Sequence, residues 1–155
     1  MSYDIESLLN DVQVILAADL NTKITAINSE KGDLPLRSIN ASAYFMDMDE
    51  KSANWDPIVL YAVTNIDSEG IGPTTSKEVT VNIALILSDD GLDEFVIKRM
   101  LRYGRALEEV IEEKWFNKRG VGILKIESLP VLSFQRSDNS QRYKIVGINL
   151  VTSFA

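Results

Sequence analysis

The chain has 155 residues, 45% of them hydrophobic and 25% charged, and its 23 acidic against 16 basic residues give a formal net charge of −7. This length indicates one domain with a core of ordinary size, and the acidic balance disfavours a DNA-wrapping surface, because clustered Lys and Arg supply non-specific affinity for phosphates. The absence of cysteine and histidine excludes disulfides and every nucleophile pair that needs a histidine base. The sequence predicts neither a membrane span nor a signal peptide, so we expect an intracellular product.

A long amphipathic helix is predicted at the start of the chain. Apolar residues recur at three- and four-residue steps from Ile5 to Ile27, which predicts a helix over residues 4–29. Gly32 is the expected stop, because a glycine commonly follows the last turn of a helix.

An apolar arm without regular periodicity follows, from Gly32 to Pro57, and it is predicted to be either extended or folded into a pair of short strands. It contains more large apolar side chains than a solvated loop needs, so we predict that it either covers its own core or docks on a partner. The docking candidates in this arm and in the next loop are Tyr44, Phe45, Met46, Met48, Trp55 and Ile71.

Two strands and a second helix come next in the chain. Residues 58–66 are typical of a strand with apolar side chains on both faces, and residues 68–76 are typical of a loop. Strict alternation over residues 79–87 predicts a second strand, and the period then changes to that of a helix over residues 90–115. The candidate N-caps are Asp89 and Asp90, and the expected buried stripe is Val96, Ile97, Met100, Leu101, Gly104, Leu107, Ile111 and Trp115.

Two final strands complete a predicted α+β domain that spans residues 1–155. They cover residues 123–134, interrupted near Pro130, and residues 143–154. The order of helix, strands, helix and strands predicts a sheet of about four mostly antiparallel strands, with both helices packed on one face. On the opposite face we predict apolar side chains that a partner could cover, namely Val59, Tyr61, Val63, Ile145 and Val151.

The charge on the second helix is sorted into blocks along its length. Basic residues come first and glutamates follow, and glutamates near a C-terminus oppose the helix macrodipole, so the stability of the isolated helix does not explain them. A subunit with one positive and one negative flank suits a head-to-tail neighbour, the geometry that closes into rings. The competing interpretation is an internal pair on an exposed helix, Arg105 with Glu109. The predicted subunit-interface residues are Arg99, Arg102, Arg105, Glu109 and Glu112.

The sequence contains no motif with recognisable catalytic, cofactor or metal chemistry. The glycines of GIGP lack the G-K-[ST] of a phosphate loop, and the acids after Met46 lack the glycine and distal glutamate of a calcium loop. We therefore predict no catalytic, cofactor-binding or metal-binding residue. A rival from another class is a carboxylate-dependent metal enzyme, whose candidate residues are Asp47, Asp49, Asp89 and Asp90.

Four segments carry a resemblance to a known family: AINSEKGD (26–33), GIGP (70–73), RYGRALEEVIEEKW (102–115) and ILKIESLPV (123–131). Through them the chain resembles the tail terminator (tail completion) proteins of long-tailed bacteriophages. This resemblance implies a non-enzymatic α+β subunit that forms a ring, typically hexameric, on the head-proximal end of the tail tube. The implied partners are further copies of the chain, the tail tube protein and the head-completion or connector protein. The implied location is the tail or neck of a virion assembled in the host cytoplasm.

A ring of this kind has a channel through which DNA passes without specific binding. We predict an acidic channel wall, because acid repels the phosphate backbone. The channel-lining candidates are Asp47, Asp49, Glu50, Asp67 and Glu69. The rival within virion structure is another neck component, such as a head-completion or stopper protein. A monomeric module that binds a small ligand is a third alternative, for which the sequence offers no convergent set of polar residues.

Overall fold

The computed structural model describes residues 4–39, 58–70, 76–88, 93–115, 122–135 and 142–154. The elements in chain order are α1 (Ile5–Lys31), β1 (Ile58–Glu69), β2 (Ser76–Ser88), α2 (Asp93–Lys114), β3 (Gly122–Gln135) and β4 (Arg142–Phe154). The strands form a four-stranded sheet in the order β1-β2-β4-β3, and each neighbouring pair is antiparallel. The predicted α+β class is therefore confirmed, and the assignment of the whole chain to one domain stays a prediction.

Helix α1 begins at a capping aspartate and ends at the predicted glycine. The Asp4 carboxylate accepts hydrogen bonds from the backbone N–H and the hydroxyl of Ser7, each at 2.8 Å, and so caps the first turn. At the other end Gly32 adopts φ 70°, the left-handed conformation, and its N–H donates to the carbonyl of Asn28. The helix runs two residues beyond the predicted end and stops where glycine was expected.

Strands β1 and β2 are longer than the alternation of apolar residues predicted. Their ladder continues through Ser68 paired with Lys77 and Glu69 paired with Ser76, so both ends of the predicted loop 68–76 are strand. The described residues there are exposed on both faces, which leaves no apolar alternation for the sequence to show. Ile71, predicted to dock on a partner, lies outside the described residues.

The core lies between the two helices and one face of the sheet. Residues that pair directly across strands share a face, and Val59 with Leu85 and Val63 with Val81 lie on the core side. The prediction that Val59 and Val63 face away from the helices was wrong, because both pack in the core. The backbone of Tyr61 pairs with Ile83. Both alternating sets of β1 are apolar, so the pattern does not distinguish the two faces.

The opposite face was predicted correctly for β4. Ile145 pairs with Ile86 and Val151 with Thr80, positions that alternate with the buried residues Val146, Ile148 and Leu150 of the same strand. Ile145 and Val151 are only half-buried.

The buried stripe of α2 is rotated from the predicted one. Ile97 and Leu101 were expected in the core, yet they are 39% and 57% exposed. Tyr103 and Val110, which the prediction omitted, are 1% exposed, because α2 packs against α1 as well as against the sheet. Gly104 was placed correctly at the sheet, where a Cβ would lie 2.9 Å from a methyl group of Val146. The candidate N-caps Asp89 and Asp90 lie outside the described residues.

Candidate functional site

Ion pairs connect the acidic block of α2 to a lysine of α1. Lys23 donates to Glu113 with 2.7 Å between Nζ and Oε1, and its Nζ lies 3.6 Å from Oε2 of Glu109. The hydrogen bond to Glu113 raises the pKa of Lys23, and the negative charges of both glutamates act in the same direction. The Lys23 side chain is only 20% exposed, so solvent screens this contact less than it screens an isolated surface pair.

The basic block of α2 pairs with acids at the end of α1. Arg105 donates to Glu30 at 2.8 Å and to Glu109 at 2.9 Å, and Arg102 donates to Asp33 at 2.8 Å. The hydrogen bond from Arg105 lowers the pKa of Glu30, and that from Arg102 lowers the pKa of Asp33. Arg102 also donates to the backbone carbonyl of Asp33 at 2.6 Å, at the point where the chain leaves α1.

These contacts give the sorted charge of α2 an explanation within one subunit. We call the row of ion pairs between the two helices, from Arg102 with Asp33 to Glu113 with Lys23, the seam. Later residues of α2 pair with earlier residues of α1, so the two helices run antiparallel along the seam. Along α1 the base comes before the acids, which complements bases before acids on α2. The predicted subunit-interface residues Arg102, Arg105 and Glu109 therefore take part in ion pairs inside the chain. Their part in a subunit contact stays a prediction, as does that of the half-buried Arg99 and the exposed Glu112.

Side-chain amides hold the segment 33–39, which we call the strap. Asn28 donates to the carbonyl of Leu36 at 3.0 Å and accepts from its N–H at 2.7 Å. Asn21, two turns earlier, makes the same pair of bonds with Ile39, both at 2.8 Å. Each amide thus replaces the backbone partner that a neighbouring strand would supply.

A tyrosine from α2 fixes the middle of the strap. The Tyr103 hydroxyl donates to the carbonyl of Arg37 at 2.9 Å and accepts from the Arg37 N–H at 2.8 Å. Leu36 and Ile39 are buried in the core on either side of this contact. The strap therefore fixes the start of the apolar arm, while the predicted docking residues of that arm lie outside the described residues: Tyr44, Phe45, Met46, Met48 and Trp55.

Acidic side chains meet at the end of the β1–β2 hairpin. Asp67 lies directly opposite Glu78 in the ladder, and like charges in that position destabilise a strand pair. Both are exposed, and with Glu69 they line an open cleft of about 320 Å³ whose other lining residues are Ser68, Ser76, Lys77 and Ser153. We call Asp67, Glu69 and Glu78 the acidic hairpin end.

Two predicted channel-lining residues, Asp67 and Glu69, belong to this group, and sequence reasoning missed Glu78. Its position opposite Asp67 follows from the register of the two strands, which becomes visible only when the second strand is extended to Ser76. The remaining channel-lining candidates lie outside the described residues: Asp47, Asp49 and Glu50.

Among the described residues no group of three or more acidic, cysteine or histidine side chains could hold a metal ion. The acids of the metal-enzyme alternative, at positions 47, 49, 89 and 90, lie outside those residues. Within the described part of the chain, no helix has the length and apolar character needed to cross a bilayer.

No family model and no curated protein matches the chain. One similar solved structure is a chain from the virion of a native gene transfer agent (GTA) particle. It is 9% identical, the alignment covers 90% of this chain and 95% of that chain, and the TM-score is 0.39. A likeness at this level carries no argument about function.

Proposed function

We propose that the protein is a structural virion protein that forms a ring, hexameric as the family resemblance implies, at the head-proximal end of a phage tail tube. The ring stops growth of the tube and joins it to the head connector. The protein is not an enzyme in this proposal, and the ring assembles in the host cytoplasm before it becomes part of the virion. The resemblance carried by residues 26–33, 70–73, 102–115 and 123–131, together with the α+β fold, supports this assignment.

The observation that carries the proposal is the acidic hairpin end. Asp67 and Glu78 face each other across the strands, and like charges in that position destabilise the strand pair. Repeated around a ring, this end forms a negative wall that repels the phosphate backbone and lets DNA move through without binding.

The strap supports the docking part of the proposal. Binding residues commonly lie on loops that a rigid scaffold holds in place, and Asn21 and Asn28 fix the start of the arm to α1. In the proposed assembly the arm and Ile71 contact the tail tube or the next ring of the neck. Hydrogen exchange with and without the tail tube protein tests this assignment, and unchanged protection over residues 40–57 counts against it.

Negative-stain imaging of the purified protein tests the ring directly. The proposal predicts closed rings with a central channel, in a fraction that rises with protein concentration. Particles that stay monomeric across the concentration range, or that form only open filaments, contradict it.

A further inference from the structure

Helix α1 joins the rest of the subunit through a short segment of unusual backbone conformation. We call Gly32, Asp33 and Leu34 the hinge. Gly32 has φ 70° and Leu34 has φ 44°, and among the described residues Leu34 is the one residue other than glycine with a positive φ. This conformation brings a Cβ too close to a carbonyl oxygen, and the residue before a proline, here Pro35, prefers an extended backbone. The bent hinge is therefore strained.

Arg102 of α2 holds the hinge in its bent form. The guanidinium donates to the carbonyl of Asp33 at 2.6 Å, to the carbonyl of Leu34 at 3.3 Å and to the carboxylate of Asp33 at 2.8 Å. Strained backbone persists where the surrounding structure fixes it through several contacts. Two opposing contributions thus act on the hinge: the bonds of Arg102 favour the bent form, and the strain at Leu34 favours an extended one.

The contacts of α1 with the rest of the subunit reach elements that follow the hinge in the chain. Glu30 pairs with Arg105 and Lys23 pairs with Glu113, both on α2, while Asn28 holds the strap. The buried side of α1 joins the same core as α2. The α1 of a second copy can make each of these contacts equally well, because it presents the same side chains at the same spacing.

We propose that, with the hinge extended, α1 of one copy packs on α2 and the strap of the next copy. This exchange gives up the bonds from Arg102 to the hinge, releases the strain at Leu34 and makes the other contacts of α1 again. Exchange of an identical element between copies is a low-cost route to oligomers. The order of charges makes the occupant specific, since a helix bound along α2 must present a base before its acids. Closing a series of such exchanges into a ring rests on the proposed function.

Cross-linking between two variants tests the exchange, because the chain contains no cysteine of its own. One chain carries Glu30→Cys and the other carries Arg105→Cys, at two positions whose native side chains approach to 2.8 Å across the seam. The two chains are expressed together in one cell, purified and treated with a short bismaleimide. We expect a covalent pair of the two variants on a denaturing gel.

Three controls define the signal. Each variant expressed alone lacks one thiol of the contact and should stay a single chain. Glu30→Cys expressed with Glu127→Cys, which places the second thiol at an exposed site on β3, should also remain uncoupled. A chain that carries both Glu30→Cys and Arg105→Cys reports the bent hinge as a cross-link within one chain. If one of the variants fails to fold, Lys23→Cys with Glu113→Cys repeats the measurement at another point of the seam.

Two substitutions at the hinge, introduced into both cysteine variants, should change the yield of covalent pairs in opposite directions. Leu34→Gly removes the strain of the bent form, because glycine adopts a positive φ readily, and should lower the ratio of exchanged to bent chains about fivefold. Arg102→Gln removes the bonds that hold the hinge bent and should raise this ratio. Ser38→Gly, at an exposed position of the strap, is the control and should leave the ratio unchanged.

Different outcomes separate the exchange from the proposed function. If the yield of covalent pairs stays at the level of the uncoupled controls while the doubly substituted chain cross-links within itself, α1 stays on its own α2 and the exchange is wrong. Closed rings in that sample would leave the ring proposal standing. Equal effects of Leu34→Gly and Arg102→Gln would also overturn the exchange through this hinge. If covalent pairs form but the oligomers are reciprocal dimers, the exchange stands and the ring proposal fails.

Discussion

The seam between α1 and α2 and the acidic hairpin end use charge in opposite ways. In the seam each ionic group has an opposite partner within about 3 Å, as for Arg105 with Glu30 and Lys23 with Glu113. At the hairpin end Asp67 and Glu78 are placed opposite each other and both are exposed. The seam therefore stabilises the subunit, and the hairpin end imposes a small cost on it. A charge that costs stability is the better candidate for a role outside the subunit.

The largest change in the free energy of unfolding is expected at the strap, where it is held against α1. Asn28→Ala leaves the N–H and carbonyl of Leu36 without their partners in a partly buried place, which should lower the free energy of unfolding by about 2 kcal/mol. Urea unfolding measures the change. Asn10→Ala, at an exposed asparagine of the same helix, is the control and should change stability by less than about 0.5 kcal/mol. Equal effects at the two positions would show that the amide bonds of Asn28 do not hold the strap.

A smaller effect is expected when one charge of the seam is reversed. Arg105→Glu places a third carboxylate beside Glu30 and Glu109 and should cost about 1 kcal/mol, since the Arg105 side chain is 37% exposed and solvent screens the pairs. The cost should shrink at 1 M salt, where the Debye length is about 3 Å. A cost that does not depend on salt would indicate lost packing of the arginine stem instead of lost ion pairs.

The seam also predicts how stability responds to acid. The folded state lowers the pKa values of Glu30 and Asp33 below their ordinary values of 4.5 and 3.8. The stabilisation that their ionised forms provide is therefore complete above pH 4.5. It is lost as the pH falls through the lower folded-state values. In the double variant Arg102→Gln/Arg105→Gln, stability should fall less between pH 5 and pH 3 than in the wild type. If the free energy of unfolding falls equally with pH in the variant and the wild type, the ion pairs of the seam are not the source of the acid sensitivity.

The smallest effect is expected at the hairpin end and has the opposite sign. Asp67→Asn/Glu78→Gln removes a pair of like charges and should raise the free energy of unfolding by about 0.3 kcal/mol in low salt. A gain that disappears in 1 M salt identifies repulsion as its source. A loss of stability would mean that these carboxylates support the hairpin, for example through the 3.0 Å hydrogen bond from Asn65 to Asp67.

The sequence predicts local elements well and the partners of distant side chains poorly. The apolar period and the glycine stop locate α1 up to Gly32, and alternation locates the interior of β2. The face of Val59 and the rotation of α2 escape prediction, because β1 is apolar on both faces and because a tyrosine, Tyr103, takes a core position on α2. The seam and the strap are invisible in the sequence, since Arg105 meets Glu30 across 75 positions of the chain and the bonds of Asn28 follow no hydrophobic pattern.

The sequence pointed to two of the three residues of the acidic hairpin end, and the third was missed because its position depends on a distant partner. Asp67 and Glu69 stand out as acids in a polar stretch, but the partner position of Glu78 depends on the register of the hairpin. The charge sorting on α2 shows the reverse case, in which a correct observation about the sequence has an explanation inside the subunit. A sorted pattern on one helix indicates a neighbour with the complementary order, and that neighbour can be another helix of the same chain.

The proposed function requires the hairpin end to repel DNA inside a ring, and the affinity of the assembled protein for duplex DNA tests this claim most directly. Glu78→Lys is compared with Glu127→Lys, an equal change of charge at an exposed position of β3. We predict that the wild type and Glu127→Lys do not retain DNA at 50 mM salt, whereas Glu78→Lys keeps its oligomer and binds DNA with an affinity that falls as salt rises. Equal DNA binding by the two variants, or tight binding by the wild type, would contradict the claim.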